Sequence, residues 1–422
     1  MLSTEANRRL SPTEDHPSAG GHRPAPLVEW ACVARVLATL GAGTAAALLL
    51  AGAVAAGGRG QTVAGTGLLR IGHLLSRASG RSRAALLIVS RAQASAAARE
   101  PGRSLVYFAG SVVCRPWSCG VPYAQAKKNG WLLADSAGKA LVSRSHPSNA
   151  VADVGNPAYQ RAWLRNVSRF LNAHHDDGVF IDAVLADLVP LTGEESASYP
   201  RQRDWARAQL SFIRAVGLAL RARGYYVLAN ASGYVPGEHA SETGASTAAW
   251  WRALAPYVSG LMNEYYQEIP TGTDELRSSG DAWTQNWTGW QRLIGVAQSH
   301  GRDFVGVTYG APRDTRTMSY GKASFLLDWN GRGGAFVYEP TNDANPWSGV
   351  WTQTIGRPLA GKRPVGVGWL RRYSRGVVLL NASPSHAQRF SLPGRYNRPD
   401  GSVVTVETLP PTTGLILRSA AP

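Results

Sequence analysis

The apolar positions of this chain change rhythm along its length, and each rhythm marks a different kind of segment. Residues 1–30 show no period; they are polar, with several Pro, Gly and His, and are expected to be disordered. Val36–Ala56 is an unbroken run without a charge, rich in Ala, Leu and Gly. Residues 57–103 hold only short apolar runs among Ala, Arg, Ser and Gly. Leu68–Leu75 and Ala84–Val89 are expected there as short helices within a basic linker that has no stable core. From Ser104 onward, continuous apolar runs alternate with segments of helical period. The runs are Leu105–Gly110, Trp131–Asp135, Val151–Val154, Val179–Asp182, Tyr225–Asn230, Gly260–Tyr265, Phe304–Thr308 and Gly334–Glu339. Between them, helices are expected from Pro157, over 201–223, 246–257, 281–300 and 315–329. Pro157 suits a first turn, and Trp163, Leu164, Val167, Phe170 and Leu171 fall on one face.

Eight apolar strands alternating with helices over about 240 residues have the size and rhythm of a (β/α)8 barrel. A doubly wound open sheet is the alternative. No Gly-x-Gly-x-x-Gly follows the first expected strand, which removes the usual dinucleotide-binding form of that fold. After residue 345 the helical rhythm stops. Val365–Leu370, Gly376–Asn381, Gln388–Leu392, Ser402–Val406 and Gly414–Leu417 read as short strands between turn residues, and Asp400-Gly401 is a hairpin signal. The expected organisation is a disordered tail (1–30), an apolar export segment (31–56), a basic linker (57–103), an α/β barrel (104–350) and a small antiparallel β-sandwich domain (351–422).

Two carboxylates stand out against this pattern. Asp182 ends the buried run Gly178-Val-Phe-Ile, and Glu264 ends Gly260-Leu-Met-Asn. A carboxylate at the tip of a buried strand is costly unless it is paired or used. In a (β/α)8 barrel the strand C-termini carry the active site, and alternate strands fill the same interior layer. The fourth and sixth expected strands can therefore bring Asp182 and Glu264 to one height. Strands lie about 4.8 Å apart, so converging side chains allow the roughly 5–5.5 Å spacing of a retaining glycoside hydrolase without excluding the wider inverting one. Asp182, short and held on a strand, is the candidate nucleophile. Glu264, with the longer arm, is the candidate acid/base, and flanking Tyr265 and Tyr266 can raise its pKa by desolvation. Tyr107, Asp135, Asn230, Tyr265, Tyr309 and Glu339 sit at other expected strand ends and are candidates for substrate binding. Asp153 ends another, where capping the next loop is the ordinary role.

The 14 tryptophans fit sugar stacking. Trp117, Trp131 and Trp347 near expected loops are the better candidates, because Trp283, Trp287 and Trp290 form a packing stripe on one helix. His174-His175-Asp176-Asp177 has metal-ligand residue types but precedes a strand, at the barrel's other face. No metal or cofactor is expected.

Formal charge is +16, and residues 57–103 supply +7 of it, from eight Arg against one acid, Glu100. Such a balance suits an anionic polymer or surface, although an arginine-rich composition without a partner reads the same way. No specific nucleic-acid partner is expected, and the protein is expected to be a monomer. Val36–Ala56 is long enough to span a bilayer, and with Ala53-Val-Ala55 it also suits the apolar region of a cleavable secretory signal. Cys114 and Cys119 enclose a short loop that fits a disulfide made in an oxidising compartment. An extracellular or surface location follows, with membrane attachment through residues 36–56 if they are not cleaved.

Three segments resemble the hypothetical glycosyl hydrolase family 15, a bacterial group of (β/α)8 glycosidases: Asp177–Asp182, Asn263–Tyr266 and Gly333–Glu339. The likeness runs over about residues 104–345. The tail, with Arg372–Asn381, is similar to the β domain behind the barrel of α-glucosidase- and α-galactosidase-like enzymes. In the α-galactosidase group the fourth-strand Asp is nucleophile and the sixth-strand carboxylate is acid/base, which implies those roles for Asp182 and Glu264. Ala183 departs from the pattern, because related sequences often carry a second acid there. The resemblance implies a glycoside hydrolase acting on an extracellular polysaccharide or oligosaccharide. The alternative is a catalytically inactive carbohydrate-binding barrel.

Overall fold

A computed structural model describes residues 72–74, 84–114, 119–144, 146–232, 244–264, 266–267, 282–310, 314–339 and 353–420. The apolar segment Val36–Ala56, expected to direct export, and the tail 1–30 lie outside the described residues. Among the described residues no helix is long and apolar enough to cross a membrane.

Eight parallel strands form one sheet in chain order: β1 Gly72–Leu74, β2 Leu86–Val89, β3 Arg103–Ala109, β4 Gly178–Leu185, β5 Tyr226–Ser232, β6 Gly260–Asn263, β7 Asp303–Tyr309 and β8 Ala335–Glu339. β1 also lies against β8, so the sheet rolls into a nearly closed barrel. Ile88, Leu105, Phe180, Leu228, Met262, Val305 and Val337 fill the interior, while their neighbours in sequence pack outward on the helices. Burial on both faces is why these strands read as continuous apolar runs rather than alternating ones.

The first two strands correct the expected organisation. Residues 72–74 and 86–89 are barrel strands, not helices of a linker, and the folded part begins before Ser104. Leu86, Leu87, Ile88 and Val89 are all buried. A four-residue apolar run has no period long enough to separate strand from helix, and the surrounding arginines obscured it. Conversely, Trp131–Asp135 and Val151–Val154 are not barrel strands. They belong to an excursion over residues 110–156 held by local antiparallel bridges, among them Leu132 to Ala152 and Val142 to Ala150. Parallel neighbours need a crossover of a dozen or more residues, usually a helix; the turn-rich stretch between these two runs provides none. The two errors offset each other, so Asp182 and Glu264 still fall on the fourth and sixth strands.

The helices α1 Pro157–His174, α2 Gln202–Arg221, α3 Gly244–Leu254, α4 Ala282–Ser299 and α5 Thr315–Asp328 cover the barrel. The Asn156 side chain accepts the Ala158 N–H at the head of α1, with Pro157 in the first turn. Gly224 and Gly301 follow α2 and α4 with φ of 86° and 66°, values glycine adopts without a Cβ penalty.

The tryptophans have a use that composition did not suggest. Trp163 Nε1 donates to Ala109 O, Trp205 to Leu185 O, Trp250 to Val184 O and Trp251 to Ala231 O, at 2.9–3.1 Å. These acceptors are carbonyls at or near the C-terminal ends of β3, β4 and β5. A buried carbonyl without a partner costs about 1–3 kcal/mol, so the indoles from the helices close off the strand ends while filling space.

The C-terminal domain is one six-stranded antiparallel sheet, in the order β9 Arg363–Val365, β10 Gly368–Tyr373, β11 Gly376–Asn381, β14 Thr413–Ser419, β12 Gln388–Asn397 and β13 Val403–Leu409. It is a single sheet rather than the expected sandwich. A register shift between Ser391 and Tyr396 bends β12, so that it pairs with β13 along most of its length and with β14 at its end. Leu370, Val377, Leu379, Phe390, Leu409 and Leu417 then share a core of their own. The other face, with Val378, Leu380 and Ile416, packs on α5. Buried Arg371 donates to the carbonyls of Leu326, Leu327 and Trp329, the unpaired acceptors at the end of α5. Tyr373 donates to Leu326 O as well.

Loss of β2 should be fatal to the fold. Burying its four side chains contributes roughly 6–12 kcal/mol as an upper estimate, comparable with the whole net stability of a domain, about 5–15 kcal/mol. A fragment of residues 104–422 is expected to lack a cooperative thermal transition, while residues 72–422 melt as a unit. Calorimetry of the two, with near-ultraviolet circular dichroism, checks this; a sharp transition in the shorter fragment would refute it.

Candidate active site

Alternation along the barrel strands sets the site. Phe180, Leu228, Met262 and Val307 point inward, so the residues two further on, Asp182, Asn230, Glu264 and Tyr309, point inward at the next level up. Tyr107 of β3 and Glu339 of β8 join them by the same parity. Six polar side chains from six successive strands thus crown the interior at the strand C-termini.

Asn230 ties the two acids together. Its Nδ2 donates to Asp182 Oδ1 at 3.0 Å and to Glu264 Oε2 at 2.6 Å. Those two lengths cap the separation of the acceptor oxygens at 5.6 Å. Each carboxyl also takes a phenol: Tyr107 donates to Asp182 Oδ2 at 2.6 Å, and Tyr309 to Glu264 Oε1 at 2.5 Å. Asp182 is 1% exposed and Asn230 6%; Glu264 is more open.

Burial raises the pKa of both acids. For Asp182, desolvation is the largest cause and the Glu264 charge adds to it, while the Tyr107 and Asn230 bonds and the Ala183 N–H pull the other way. For Glu264, desolvation also dominates, opposed by Tyr309 and Asn230. Tyr107 is pushed well above its ordinary value by burial and by the Asp182 charge, so it stays a phenol and a donor. Two like charges this close favour a state in which the pair shares one proton.

The strand is distorted directly after Asp182. Ala183 has φ of 59°, and the pairing of β4 with β5 shifts register between Ile181 and Val184. A non-glycine residue there costs about 1–2 kcal/mol. A buried cluster holds it: Ser111 Oγ donates to Ala183 O at 2.6 Å, and Gln209 Nε2 donates to Ala183 O at 2.9 Å and to Ser111 Oγ at 2.6 Å. The bulge turns Val184 outward onto the helices and leaves Asp182 facing in. Sequence reasoning missed Ser111 and Gln209. Gln209 lies on the buried face of an amphipathic helix, where only its polarity among apolar neighbours marks it.

Other candidates fall elsewhere. Asp135 is not in the mouth: its Oδ1 accepts the N–H groups of Ala137 and Lys139, capping its own turn. Asp153 accepts from Tyr199. Trp131 is 8% exposed, edge-on to Tyr159, so it is core rather than a sugar platform. Tyr265, Trp117 and Trp347 lie outside the described residues. Tyr266 is fully buried on the outer side, donating to Gln291. At the opposite end of the barrel Asp176 and Asp177 both accept from Ser104, and the described residues hold no cluster suited to a metal ion. A disulfide joins Cys114 to Cys119, with Cα atoms 5.7 Å apart.

Asp182→Asn should stabilise the folded protein near neutral pH. The wild-type folded state holds a proton on Asp182 more tightly than the unfolded chain does. Stability is therefore lost as pH rises from the ordinary carboxylate value toward the raised one. The amide removes that loss, and Tyr107 can accept from it. The variant should exceed wild type by on the order of 2 kcal/mol at pH 7–8, with the gap closing toward pH 4. Denaturant melts across this range check the sign; a gap that widens on acidification would contradict it.

The profile of the hypothetical glycosyl hydrolase family 15 matches residues 114–377. No curated protein matches the chain by sequence. Distant likenesses among solved structures include a maltogenic α-amylase from Thermotoga neapolitana (10% identity, 78% of this chain and 80% of that one, TM-score 0.44). An α-galactosidase from Lactobacillus brevis is similar at 10% identity over 84% of this chain, with TM-score 0.46; this chain spans 55% of its length. An α-amylase from Malbranchea cinnamomea is 8% identical over 78% of this chain and 77% of that one, with TM-score 0.42. The family match spans more than half of the sequence and takes in both strand-end acids, and the chain belongs to the hypothetical glycosyl hydrolase family 15.

Proposed function

We propose that this protein is a retaining glycoside hydrolase in which Asp182 is the nucleophile and Glu264 the acid/base. The observation that carries the reading is the shared Asn230 donor. It holds one oxygen of each carboxyl within 5.6 Å of the other, which supports the roughly 5–5.5 Å spacing of retaining enzymes. When Glu264 holds the proton of the pair, its repulsion of Asp182 vanishes. The bonds from Tyr107, Asn230 and the Ala183 N–H then oppose the desolvation that raises the pKa of Asp182, and stabilise the carboxylate form that acts as nucleophile.

In the first step an Asp182 oxygen bonds to the anomeric carbon as the glycosidic C–O bond breaks, and Glu264 gives its proton to the departing oxygen. In the second, Glu264, now a carboxylate, takes a proton from water. The water oxygen replaces Asp182 at the same carbon and Glu264 is reprotonated. Tyr107 and Tyr309 fix the orientation of the two acids throughout. The same reading takes an extracellular oligosaccharide or polysaccharide as substrate, with Val36–Ala56 as the export segment.

The two acids should fail differently on substitution. Asp182→Ala should lose hydrolysis of natural glycans and of aryl glycosides with good leaving groups, by about 10⁴-fold or more. Glu264→Ala should retain much of its activity on an activated aryl glycoside, gain rate with added azide as a β- or α-glycosyl azide forms, and lose the alkaline limb of its pH profile. With a fluorinated slow substrate, mass spectrometry of the intact protein should show one glycosyl adduct, and peptide mapping should place it on Asp182. A folded Asp182→Ala protein that hydrolyses the aryl glycoside at the wild-type rate would sink the assignment.

A further inference from the structure

The junction of barrel and C-terminal sheet carries a groove of about 500 Å³, lined by α3, α4, α5 and the strand region around β10. It lies on the outer wall, away from the polar crown inside the barrel. Trp287 of α4 and Trp369 of β10 stack there with centroids 6.0 Å apart and planes at 27°. Lys362 Nζ sits 5.4 and 5.0 Å from the two ring centroids. The one acid in the lining among the described residues, Asp328, is already taken, by Lys362 and by Gln291 Nε2.

Two features of this groove are unexplained by folding. Arg252 and Arg292 line it, exposed, and make no ion pair among the described residues. Gly295 also lines it, in the middle of α4. Glycine inside a helix costs about 1 kcal/mol relative to alanine. It is ordinarily kept where a neighbour leaves no room for a Cβ. At Gly295 a Cβ would meet no atom within 4 Å. The absent side chain therefore serves no packing contact and leaves the groove floor clear.

We propose that this groove is a second carbohydrate site, which takes an acidic oligosaccharide segment, uronate-bearing or sulfated. The inference rests on the reading of this protein as a glycosidase and names the class of glycan it meets. Half-buried Trp369 offers apolar surface for the carbon face of a sugar ring. Among the described residues, three cations against one paired acid leave an excess of positive charge, and the arginine forks suit a carboxylate or sulfate that would offset it. A volume of this size is in the range of pockets that bury a small ligand. A free inorganic anion would use the arginines and leave the indoles idle.

Binding should be measured on the full chain carrying Asp182→Asn, so that turnover plays no part. The probes are neutral, uronate-bearing and sulfated oligosaccharides, with inorganic sulfate as the control. An acidic oligosaccharide is expected to bind more tightly than its neutral counterpart and than sulfate, and to weaken as salt rises. Gly295→Leu, which favours helix and fills the groove, should weaken that binding roughly tenfold or more. In the otherwise wild-type chain it should leave kcat/KM on a small aryl glycoside unchanged. Arg292→Ala should weaken the acidic probe and not the neutral one. The proposal is overturned if no acidic probe binds, if neutral and acidic probes bind alike, or if Gly295→Leu leaves affinity intact. Acidic-glycan binding that Gly295→Leu abolishes, in a protein whose wild type hydrolyses nothing, would refute the catalytic reading and leave the groove standing.

Discussion

The NH2 group of Asn230 donates to two buried acids at once, and the mouth of the barrel is arranged around what that donor must offset. Two carboxyls within a few ångströms in an apolar interior repel each other and lose their hydration. Either effect alone favours neutralising one of them. One amide nitrogen with two N–H bonds fixes both acceptors, and a phenol on each outer oxygen completes the set. A short side chain reaches both acids because β5 stands between β4 and β6 in the sheet. The strand order of the barrel is thus itself a condition of the site. An open sheet with the same strands in another order would separate the acids.

The chemistry was more legible in the sequence than the boundaries of the fold. Asp182 was visible because it ends a run that is otherwise fully apolar, and Glu264 because it closes a short buried run whose one other polar residue is the adjacent Asn263. Tyr107, Asn230, Tyr309 and Glu339 were visible by the same logic. Asp135 carried the same signature and failed, because Trp131–Asp135 closes antiparallel on its own turn instead of entering the barrel. The first two strands were hidden for the opposite reason. They are so short that periodicity says nothing, and they pair only with segments distant in sequence or with one another. Ser111 and Gln209 were invisible because their partner is a main-chain carbonyl, and no spacing rule foresees a backbone acceptor turned by a bulge.

The tryptophans show how one residue type can mislead. Sugar stacking was the natural reading of their abundance, yet four of them donate from the helical layer into carbonyls at the strand ends. The reason is geometric. At the C-terminal rim the strands diverge toward loops, so their last carbonyls lose the neighbour that would pair them. An indole is long enough to fill the gap between helix and strand and carries one donor at its far edge. The rim beneath the crown of polar side chains is thereby hydrogen-bonded without further backbone pairing.

Rigidity at that rim is also what lets β4 hold a residue in the left-handed region. Ala183 is strained, and strain persists only where surroundings over-determine it. Here the peptide is fixed from one side by Ser111 and Gln209 and capped along the strand by the Trp250 and Trp205 bonds to Val184 and Leu185. A regular strand would place Val184 inward, directly above Asp182, where it would fill the barrel mouth over the carboxyl. The bulge sends Val184 to the helices instead and leaves the carboxyl with an open face. A second acid at position 183 would have to share this bulge. A further charge next in sequence to Asp182 would add to the repulsion that Asn230 already offsets. The alanine that departs from the related pattern therefore fits the local physics: the smallest side chain that keeps the bulge without crowding or charging the pair.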